Sequence, residues 1–353
     1  MMNLYPKLIT DALTKVRYPG SGKNLVEAGM VEDNIRIEGN KVSFSLIFEK
    51  ENDPFIKSVV KAAESAILTF VGEEVDIKGN ISLKFKKEAP KPKTEERPLA
   101  KVKNIIAVSS GKGGVGKSTV SANLAVALAK QGYKVGLLDA DIFGPSIPKM
   151  FGIEDARPML ETVDGRDLIG PIEKFGVKIL SIGFFVEPQQ AVLWRGGMAS
   201  NALKQLINEG NWGELDYFLI DLPPGTSDIH LTLIQTLQLT GAIVVTTPQQ
   251  VALADARKGI DMFQNDKVDV PILGLVENMS WFTPAELPDH RYYIFGRDGA
   301  KQLAIETGTR LLGQIPLVQS VCESGDAGAP IVTQNSVVSL AFDELARLVA
   351  SLC

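Results

Sequence analysis

The sequence has little of what marks secreted, membrane-spanning or nucleic-acid-binding proteins. Its 353 residues include only two cysteines, Cys322 and Cys353, and no Cys-x-x-Cys pair, so no disulfide framework is expected. No apolar run approaches the roughly 20 residues that a bilayer span needs, and residues 1–10 lack the apolar core of a secretory signal. The formal net charge of −5 supplies no positive field for a phosphate backbone. These absences predict a cytoplasmic protein with no nucleic-acid or membrane partner.

Residues 111–119 carry the strongest functional signal in the chain. They read Gly-Lys-Gly-Gly-Val-Gly-Lys-Ser-Thr, the phosphate-binding pattern G-x-x-x-x-G-K-[ST] with an additional lysine at its second position. An apolar strand at 104–109 enters this loop, and an Ala/Leu-rich helix at 118–130 leaves it. Glycines let successive backbone N–H groups face phosphate oxygens, and the helix presents its positive end to the anion. The residues predicted to bind ATP here are Gly111, Lys112, Gly113, Gly114, Val115, Gly116, Lys117, Ser118 and Thr119.

Composition divides the chain into three parts. Residues 1–85 read as α-β-β-α-β, which predicts a small α+β domain. Residues 86–103 combine three prolines with dense charge and are predicted to be a linker. Residues 104–353 alternate short apolar strands with helices. This order predicts an α/β domain with a mostly parallel P-loop NTPase sheet and helices on both faces, and ligands bind such sheets beyond the carboxyl ends of the strands.

Two further predicted strands end in carboxylates. Asp221 follows four apolar residues and is interpreted as a Walker-B-type aspartate that holds Mg²⁺ together with Ser118. Asp139 and Asp141 alternate at another strand end and therefore project differently. No glutamate follows Asp221 to orient a water molecule, so Asp141 is assigned to the attacking water and Asp139 to the surroundings of the metal. The alternative role for a buried aspartate at a strand end is to cap neighbouring backbone groups. The turn 223–225, which follows Asp221, is expected to offer backbone amides to a γ-phosphate.

Four motifs together resemble one known family. They are the loop 111–119 with Lys112, Asp-Ala-Asp-Ile-Phe-Gly-Pro-Ser at 139–146, Asp-Leu-Pro-Pro-Gly-Thr-Ser-Asp at 221–228 and Glu-Asn-Met-Ser at 277–280. In this order they are similar to the Mrp/ApbC family, iron–sulfur cluster carrier ATPases within the MinD/ParA class of deviant P-loop proteins. The resemblance covers nearly all of 104–353, and the unit 1–85 is similar to a small domain shared with iron–sulfur assembly factors.

The resemblance implies a function and a set of contacts. It implies a homodimer that hydrolyses ATP, with Lys112 and Lys117 in catalysis, and that delivers iron–sulfur clusters to apoproteins or works with assembly factors. Lys112 would reach the phosphates bound by the partner subunit. The alternative interpretation is that Lys112 is a solvated lysine on a surface loop. Asn278 would contact adenine, with Pro316 nearby.

The chain departs from the family at its cluster ligands. The family's Cys-x-x-Cys pair is expected between the Glu-Asn-Met-Ser segment and Tyr-Ile-Phe-Gly at 293–296, but residues 281–292 contain no cysteine. Asn-Asp-Pro at 52–54 stands where relatives can carry another. Cys322 and His290, and after them Cys353, remain as candidate ligands, with the harder donors Glu286 and Asp289 beside His290. An inert thiol or a solvated charge is the alternative for each, so the iron–sulfur cofactor and its ligands stay open.

Two other classes of function compete with this interpretation. The first is an ATP-gated interaction switch in the manner of MinD or ParA, without a cluster. Such switches use basic amphipathic segments, whereas the last helix carries a single cation in 342–349. The second is a small-molecule kinase or ligase on the same scaffold, for which no acceptor motif is present.

Overall fold

The computed structural model describes residues 4–19, 22–48, 53, 55–85, 99–142, 144–185, 196–284 and 286–353, and only the backbone at 196 and 228. The chain forms two compact units, residues 1–95 and 96–353. Most of the predicted linker, residues 86–98, lies outside the described residues, as do residues 52 and 54.

The first unit follows the predicted α-β-β-α-β order. Its elements are α1 (Pro6–Leu13), β1 (Arg36–Glu38), β2 (Lys41–Phe48), α2 (Ile56–Phe70) and β3 (Ile81–Phe85). β1 pairs antiparallel with β2 across a turn at Gly39, whose φ of +62° favours glycine, and β3 pairs parallel with β2. The apolar pattern of residues 75–85 predicts one strand, whereas β3 begins only at Ile81. Buried side chains of both helices and of β2 form one apolar core.

The second unit contains an eight-stranded sheet. The strands among the described residues of this unit are β4 (Val102–Ser110), β5 (Val135–Asp139), β6 (Leu160–Val163), β7 (Arg166–Ile169), β8 (Ile172–Lys174), β9 (Val177–Ser181), β10 (Leu215–Asp221), β11 (Gly241–Thr246), β12 (Ile272–Glu277) and β13 (Leu311–Gln314). The sheet order is β13-β12-β11-β4-β10-β5-β9-β8, and only β8 runs antiparallel to its neighbour, whereas β6 and β7 form a separate hairpin. The predicted mostly parallel sheet is confirmed.

Helices cover both faces of this sheet. They are α3 (Lys117–Lys130), α4 (Ile147–Phe151), α5 (Gly196–Glu209), α6 (Asp228–Thr236), α7 (Gln250–Gln264), α8 (Gly299–Glu306), α9 (Gln319–Asp326) and α10 (Val337–Leu352). Alternate residues of β4 enter opposite cores: Ile106 packs with α3 and α10, and Ile105 packs with α5 and α6. Among the described residues, no helix combines the length and apolarity that a membrane crossing requires.

The sheet order positions the functional residues. β10 lies between β4 and β5, and its last residue, Asp221, is in register with Asp139 of β5 and Val108 of β4. Because all three strands are parallel, the phosphate loop after β4 and both aspartates meet at one edge of the sheet.

Candidate nucleotide-binding site

The phosphate loop joins the end of β4 to the start of α3. Gly114 and Gly116 adopt φ of +82° and +83°, a region that side chains disfavour. A Cβ atom at Gly116 would lie 2.1 Å from Asn278 Nδ2, and one at Gly111 would lie 2.1 Å from the backbone carbonyl carbon of Asp255. Conformation therefore favours glycine at Gly114, close packing requires it at Gly111, and both reasons apply at Gly116.

The loop encloses a cavity of about 200 Å³. Its lining includes the predicted residues from Lys112 to Thr119, together with Ser110, Asp141, Ser146, Met150 and Pro224. Lys112 makes no salt bridge with the described residues, and its backbone carbonyl accepts a hydrogen bond from Ser110 Oγ at 3.0 Å. A free charge thus stands beside a complete phosphate loop.

Lys117, Ser118 and Asp221 form a buried polar cluster at the base of the cavity. Lys117 Nζ lies 2.8 Å from Asp221 Oδ1, and the two side chains are 6% and 0% exposed. Ser118 Oγ donates to Asp221 Oδ2 at 2.6 Å and accepts from Lys117 Nζ at 3.1 Å. The structure therefore brings together the two residues predicted to hold Mg²⁺, and hydroxyl and carboxylate oxygens are ligands that Mg²⁺ prefers.

Ser121 belongs to the same cluster and was not predicted. Its hydroxyl donates to Asp221 Oδ1 at 2.6 Å and lies 3.1 Å from the Lys117 carbonyl. Ser121 lies one helical turn after Lys117, so the i, i+4 spacing was the available signal, but nothing in the sequence indicated that β10 would face it. This bond orients the aspartate from the side away from the cavity.

Asp139 and Asp141 occupy different environments, as their alternation predicted. Asp139 is fully buried and accepts hydrogen bonds from Ser181 Oγ at 3.0 Å and from the backbone N–H groups of Ile147 and Asp141, both at 3.2 Å. Burial, and then the nearby carboxylate of Asp221, raise the pKa of Asp139 to about 8. Asp139 thereby links β5 to β9 and α4, whereas Asp141 lines the phosphate cavity.

A second cavity of about 390 Å³ adjoins the first. The two share Gly116, Thr119, Ser146 and Met150 in their walls. The remaining lining is mostly apolar and includes Asn278, Met279, Pro316, Leu317, Val318, Val321, Cys322 and Asp326. Phosphates in the first cavity would place a nucleoside in the second, where the two predicted adenine contacts, Asn278 and Pro316, lie in one wall.

Asn278 is held in place from two directions. Its Nδ2 donates to the Val115 carbonyl in the phosphate loop at 2.9 Å. The preceding residue, Glu277, is buried and accepts from Ala300 N at 2.7 Å and from Gln314 Nε2 at 2.8 Å. Glu277 thus joins the ends of β12 and β13 to the start of α8 and fixes the backbone that carries Asn278.

The turn after Asp221 differs from the sequence expectation. Pro223 and Pro224 have no N–H group, and the Gly225 N–H donates to the Ser110 carbonyl at 2.8 Å. The amides of 223–225 therefore do not face a phosphate, and that expectation was wrong. The turn contributes Pro224 to the cavity wall instead.

The candidate cluster ligands are not brought together. Within the described ranges, no three His, Cys, Asp or Glu side chains group as a metal site. Cys322 Sγ lies 3.7 Å from Asp326 Oδ2, and the Asp326 carboxylate raises the pKa of the thiol, which disfavours the thiolate that iron requires. His290 and its acidic neighbours are exposed on their loop, and Cys353 is exposed at the carboxyl end.

The loop 281–292 is closed without cysteine. Phe282 and Tyr292 exchange backbone hydrogen bonds of 2.9 and 2.8 Å. The Arg291 guanidinium lies 4.3 Å from the centroid of the Trp281 ring, a cation–π contact. Leu317 N donates to the Trp281 carbonyl at 2.8 Å. Because Leu317 lines the second cavity of about 390 Å³, this bond joins the loop to the wall of that cavity.

Comparison with known families matches both units. A model of NUBPL iron-transfer P-loop NTPases matches residues 101–350, and a model of iron-sulfur cluster assembly proteins matches residues 7–78. A Synechocystis protein named iron-sulfur cluster carrier protein is 42% identical over 351 residues, which cover 97% of each chain. An Escherichia coli protein of the same name is 52% identical over 252 residues, 71% of this chain and 67% of that one.

Solved structures place the second unit among nucleotide-binding proteins. A nucleotide-binding protein from Archaeoglobus fulgidus, in complex with ADP, has a TM-score of 0.58 at 38% identity and covers 67% of this chain and 91% of its own. The cell division ATPase MinD of Pyrococcus furiosus has a TM-score of 0.52 at 25% identity, over 71% of this chain and 99% of its own.

Proposed function

Because this chain belongs to the family of NUBPL iron-transfer P-loop NTPases, we propose that it is an ATP-hydrolysing carrier of iron–sulfur clusters. The observation that carries the ATPase part is the buried cluster of Lys117, Ser118 and Asp221 at the base of a phosphate-sized cavity that opens into a nucleoside-sized one. The carrier part follows from relatives that bear that name over nearly the whole chain.

Each residue has a distinct role in hydrolysis. Backbone N–H groups of the phosphate loop and Lys117 bind the phosphates, and Ser118 and Asp221 would hold Mg²⁺, which would neutralise charge on the transferred phosphoryl group. Asp141, in the cavity wall, orients the attacking water. Burial raises the pKa of Asp139, so this carboxyl places less negative charge beside the Lys117–Asp221 ion pair than an ordinary aspartate would.

Lys112 acts between two copies of the chain. It lines the phosphate cavity beside a loop that already has its own lysine, and no carboxylate among the described residues pairs with it. In a homodimer, this charge would stabilise the transition state in the opposite subunit. Mixing Lys112→Ala subunits with Asp141→Ala subunits should then restore part of the activity, because one of the two sites has both its own Asp141 and an intact Lys112 from the opposite subunit. Verified mixed dimers without restored turnover would contradict a role across the interface.

The cluster is cargo that needs ligands from outside the described residues. The loop 281–292 has no thiol, and Cys322 stands alone against Asp326. We therefore assign part of the cluster's thiolate ligands to a client apoprotein or an assembly factor, since thiolates are the usual ligands of such clusters.

Anaerobic reconstitution with iron and sulfide tests the carrier function. The wild type and Cys322→Ser should bind little iron alone and should speed cluster transfer to a thiol-bearing apoprotein in the presence of Mg-ATP. Iron quantitation and absorption spectra measure both. ATP turnover without any effect on transfer would favour the interaction switch, and one stable cluster per dimer in Cys322→Ser would show that other residues are the ligands.

A further inference from the structure

The helices α4 and α9, which both line the second cavity, end in the same backbone motif. At the end of α4, Gly152 N donates to the Lys149 carbonyl at 3.0 Å, and Ile153 N donates to the Pro148 carbonyl at 2.9 Å. This pair of bonds is a Schellman motif, which needs a left-handed backbone just after the helix. Gly152 supplies it with φ of +59°.

Gly328 ends α9 in the same way. Gly328 N donates to the Gly325 carbonyl at 3.1 Å, and Ala329 N donates to the Ser324 carbonyl at 2.9 Å. The φ angle of Gly328 is +72°. Both helices that border the second cavity therefore finish on a left-handed glycine.

The two glycines contact each other through their backbones, and we call this contact the glycine joint. A Cβ atom at Gly328 would lie 2.5 Å from Gly152 Cα and 2.7 Å from Gly152 N, and one at Gly152 would lie 3.2 Å from Gly328 Cα. The motif alone does not require such a contact. Gly308 ends α8 in the same motif with φ of +65°, and a Cβ atom there would meet nothing within 4 Å. The close approach of α4 to α9 is thus a separate reason for glycine.

A lysine adds an electrostatic contact at the joint. The carboxyl ends of helices carry partial negative charge, and two of them meet here. Lys174 of β8 donates from Nζ to the Gly152 carbonyl at 3.3 Å. Lysine near the last carbonyls of a helix is favourable, so charge as well as packing holds the two ends together.

The glycine joint controls the spacing of two parts of the second cavity wall. α4 contributes Met150 to this wall and α9 contributes Val321. The start of α4 is held independently, because Ile147 N donates to the buried carboxyl of Asp139 at 3.2 Å. A change at the joint would therefore move the end of α4 relative to α9, while the phosphate-binding groups on α3 and β10 keep their places.

We propose that Gly152 and Gly328 are positioning residues for nucleotide binding, whose backbone contact holds α4 and α9 at the spacing that fits the nucleoside. Non-bonded carbon atoms pack at about 3.5–4.0 Å, so a methyl group at Gly328 would push the two helix ends apart by about 1 Å. A gap of that size forfeits a quarter to a half of each dispersion contact that it opens. The inference rests on the nucleotide-binding step of the proposed function.

Three alanine substitutions test the joint. Gly328→Ala places a methyl group in the tightest contact, and Gly152→Ala places one in a looser contact. Gly308→Ala is the matched control, since it has the same motif and a similar φ but open space around the new methyl group. Affinities for Mg-ADP and for magnesium pyrophosphate are measured by titration calorimetry, together with kcat and KM for ATP and Tm.

Gly328→Ala and Gly308→Ala should both lower Tm, because alanine disfavours a left-handed backbone. Only Gly328→Ala should lose about tenfold in Mg-ADP affinity, the expected result of weaker packing around the nucleoside. Its pyrophosphate affinity should stay at the wild-type value, and KM for ATP should rise with little change in kcat. Gly152→Ala should show the same pattern with a smaller loss.

A wild-type ratio of ADP to pyrophosphate affinity in Gly328→Ala would overturn the proposal, as would an equal fall of this ratio in Gly308→Ala. Equal losses for both ligands would also overturn it, since they would reflect general damage to the domain. If Gly328→Ala does not fold, a wild-type ratio in Gly152→Ala decides against the joint. A wild type that binds Mg-ADP but does not turn over ATP would refute the proposed ATPase alone, because the ratio needs only binding.

Discussion

The phosphate loop and the loop 281–292 are built in opposite ways. In the first, buried side chains satisfy one another: Lys117, Ser118 and Ser121 all contact Asp221. In the second, the contacts described are backbone hydrogen bonds and one exposed cation–π stack. A buried charge network tolerates little change because each lost partner leaves a charge without compensation, whereas an exposed loop can lose side chains and keep its shape.

The largest expected effect is at Lys117. Lys117→Ala removes the phosphate-binding charge and leaves Asp221 without its 2.8 Å partner. Charge-assisted contacts of about 1.5–3 kcal/mol predict a loss of roughly tenfold to over a hundredfold in ATP affinity, together with loss of turnover. Isothermal titration and phosphate release measure both. Lys134→Ala, an exposed lysine before β5 at the opposite edge of the sheet, is the control; equal behaviour of the two variants would refute the site.

A smaller effect is expected at Ser121. Ser121→Ala removes the 2.6 Å bond that orients Asp221. Loss of a hydrogen-bond donor to a metal-binding side chain typically costs about 10–100-fold in metal affinity or activity. The Mg²⁺ concentration for half-maximal turnover should therefore rise by about that factor. Ser109 is a buried serine on the neighbouring strand β4 whose hydroxyl has no partner among the described residues. Ser109→Ala should therefore leave the Mg²⁺ requirement unchanged, and a similar rise in both variants would contradict the assignment.

The lowered pKa of His230, at the start of the helix that follows Asp221, predicts that the stability of the protein depends on pH. Its pKa is about 4 in the folded chain, below the ordinary value of 6.5, because burial disfavours the charged ring. Between pH 6.5 and 4 the histidine is protonated in the unfolded chain but neutral in the folded chain. The stabilisation of the folded state by the neutral His230 ring is therefore complete above pH 6.5 and is lost as the pH falls toward 4. The loss is about 1.4 kcal/mol per pH unit and roughly 3 kcal/mol in all.

Denaturant unfolding of the wild type and His230→Gln between pH 7 and 4 checks this. The difference in unfolding free energy between them should move in favour of the Gln variant as pH falls. His290→Gln, in the exposed loop, is the control, because an exposed ring meets water in both folded and unfolded chains. Parallel curves for wild type and His230→Gln would show that the ring is solvated in the folded state.

The smallest effect is expected in the loop 281–292. Arg291→Ala removes the stack on Trp281 and should cost about 0.5–1 kcal/mol of stability, the usual value for an exposed cation–π contact. ATP turnover should stay at the wild-type level. The pair of backbone bonds between Phe282 and Tyr292 keeps the loop closed. A turnover loss comparable to that of Ser121→Ala would mean that the two loops are coupled.

Local patterns predicted most of the second unit. The strand before the phosphate loop and the helix after it lie within two residues of their predicted bounds, 104–109 and 118–130, and a strand ends at Asp221 as predicted, since buried parallel strands read as continuous apolar runs. The predictions omitted β6, β7, β8, α4 and α9. These elements are short, and the β6–β7 hairpin is largely exposed, so apolar periodicity gave no signal there.

The sequence by itself determined the nucleotide chemistry, because glycine conformation, the Lys-Ser pair and the strand ends are encoded within a few adjacent residues. Only the tertiary structure decided which groups support that chemistry. Ser121 meets Asp221 across 100 residues of chain, and Gly225 meets Ser110 because β4 and β10 are neighbours in the sheet. Such contacts depend on the order of parallel strands, which crossover connections set over long separations and which no local pattern specifies.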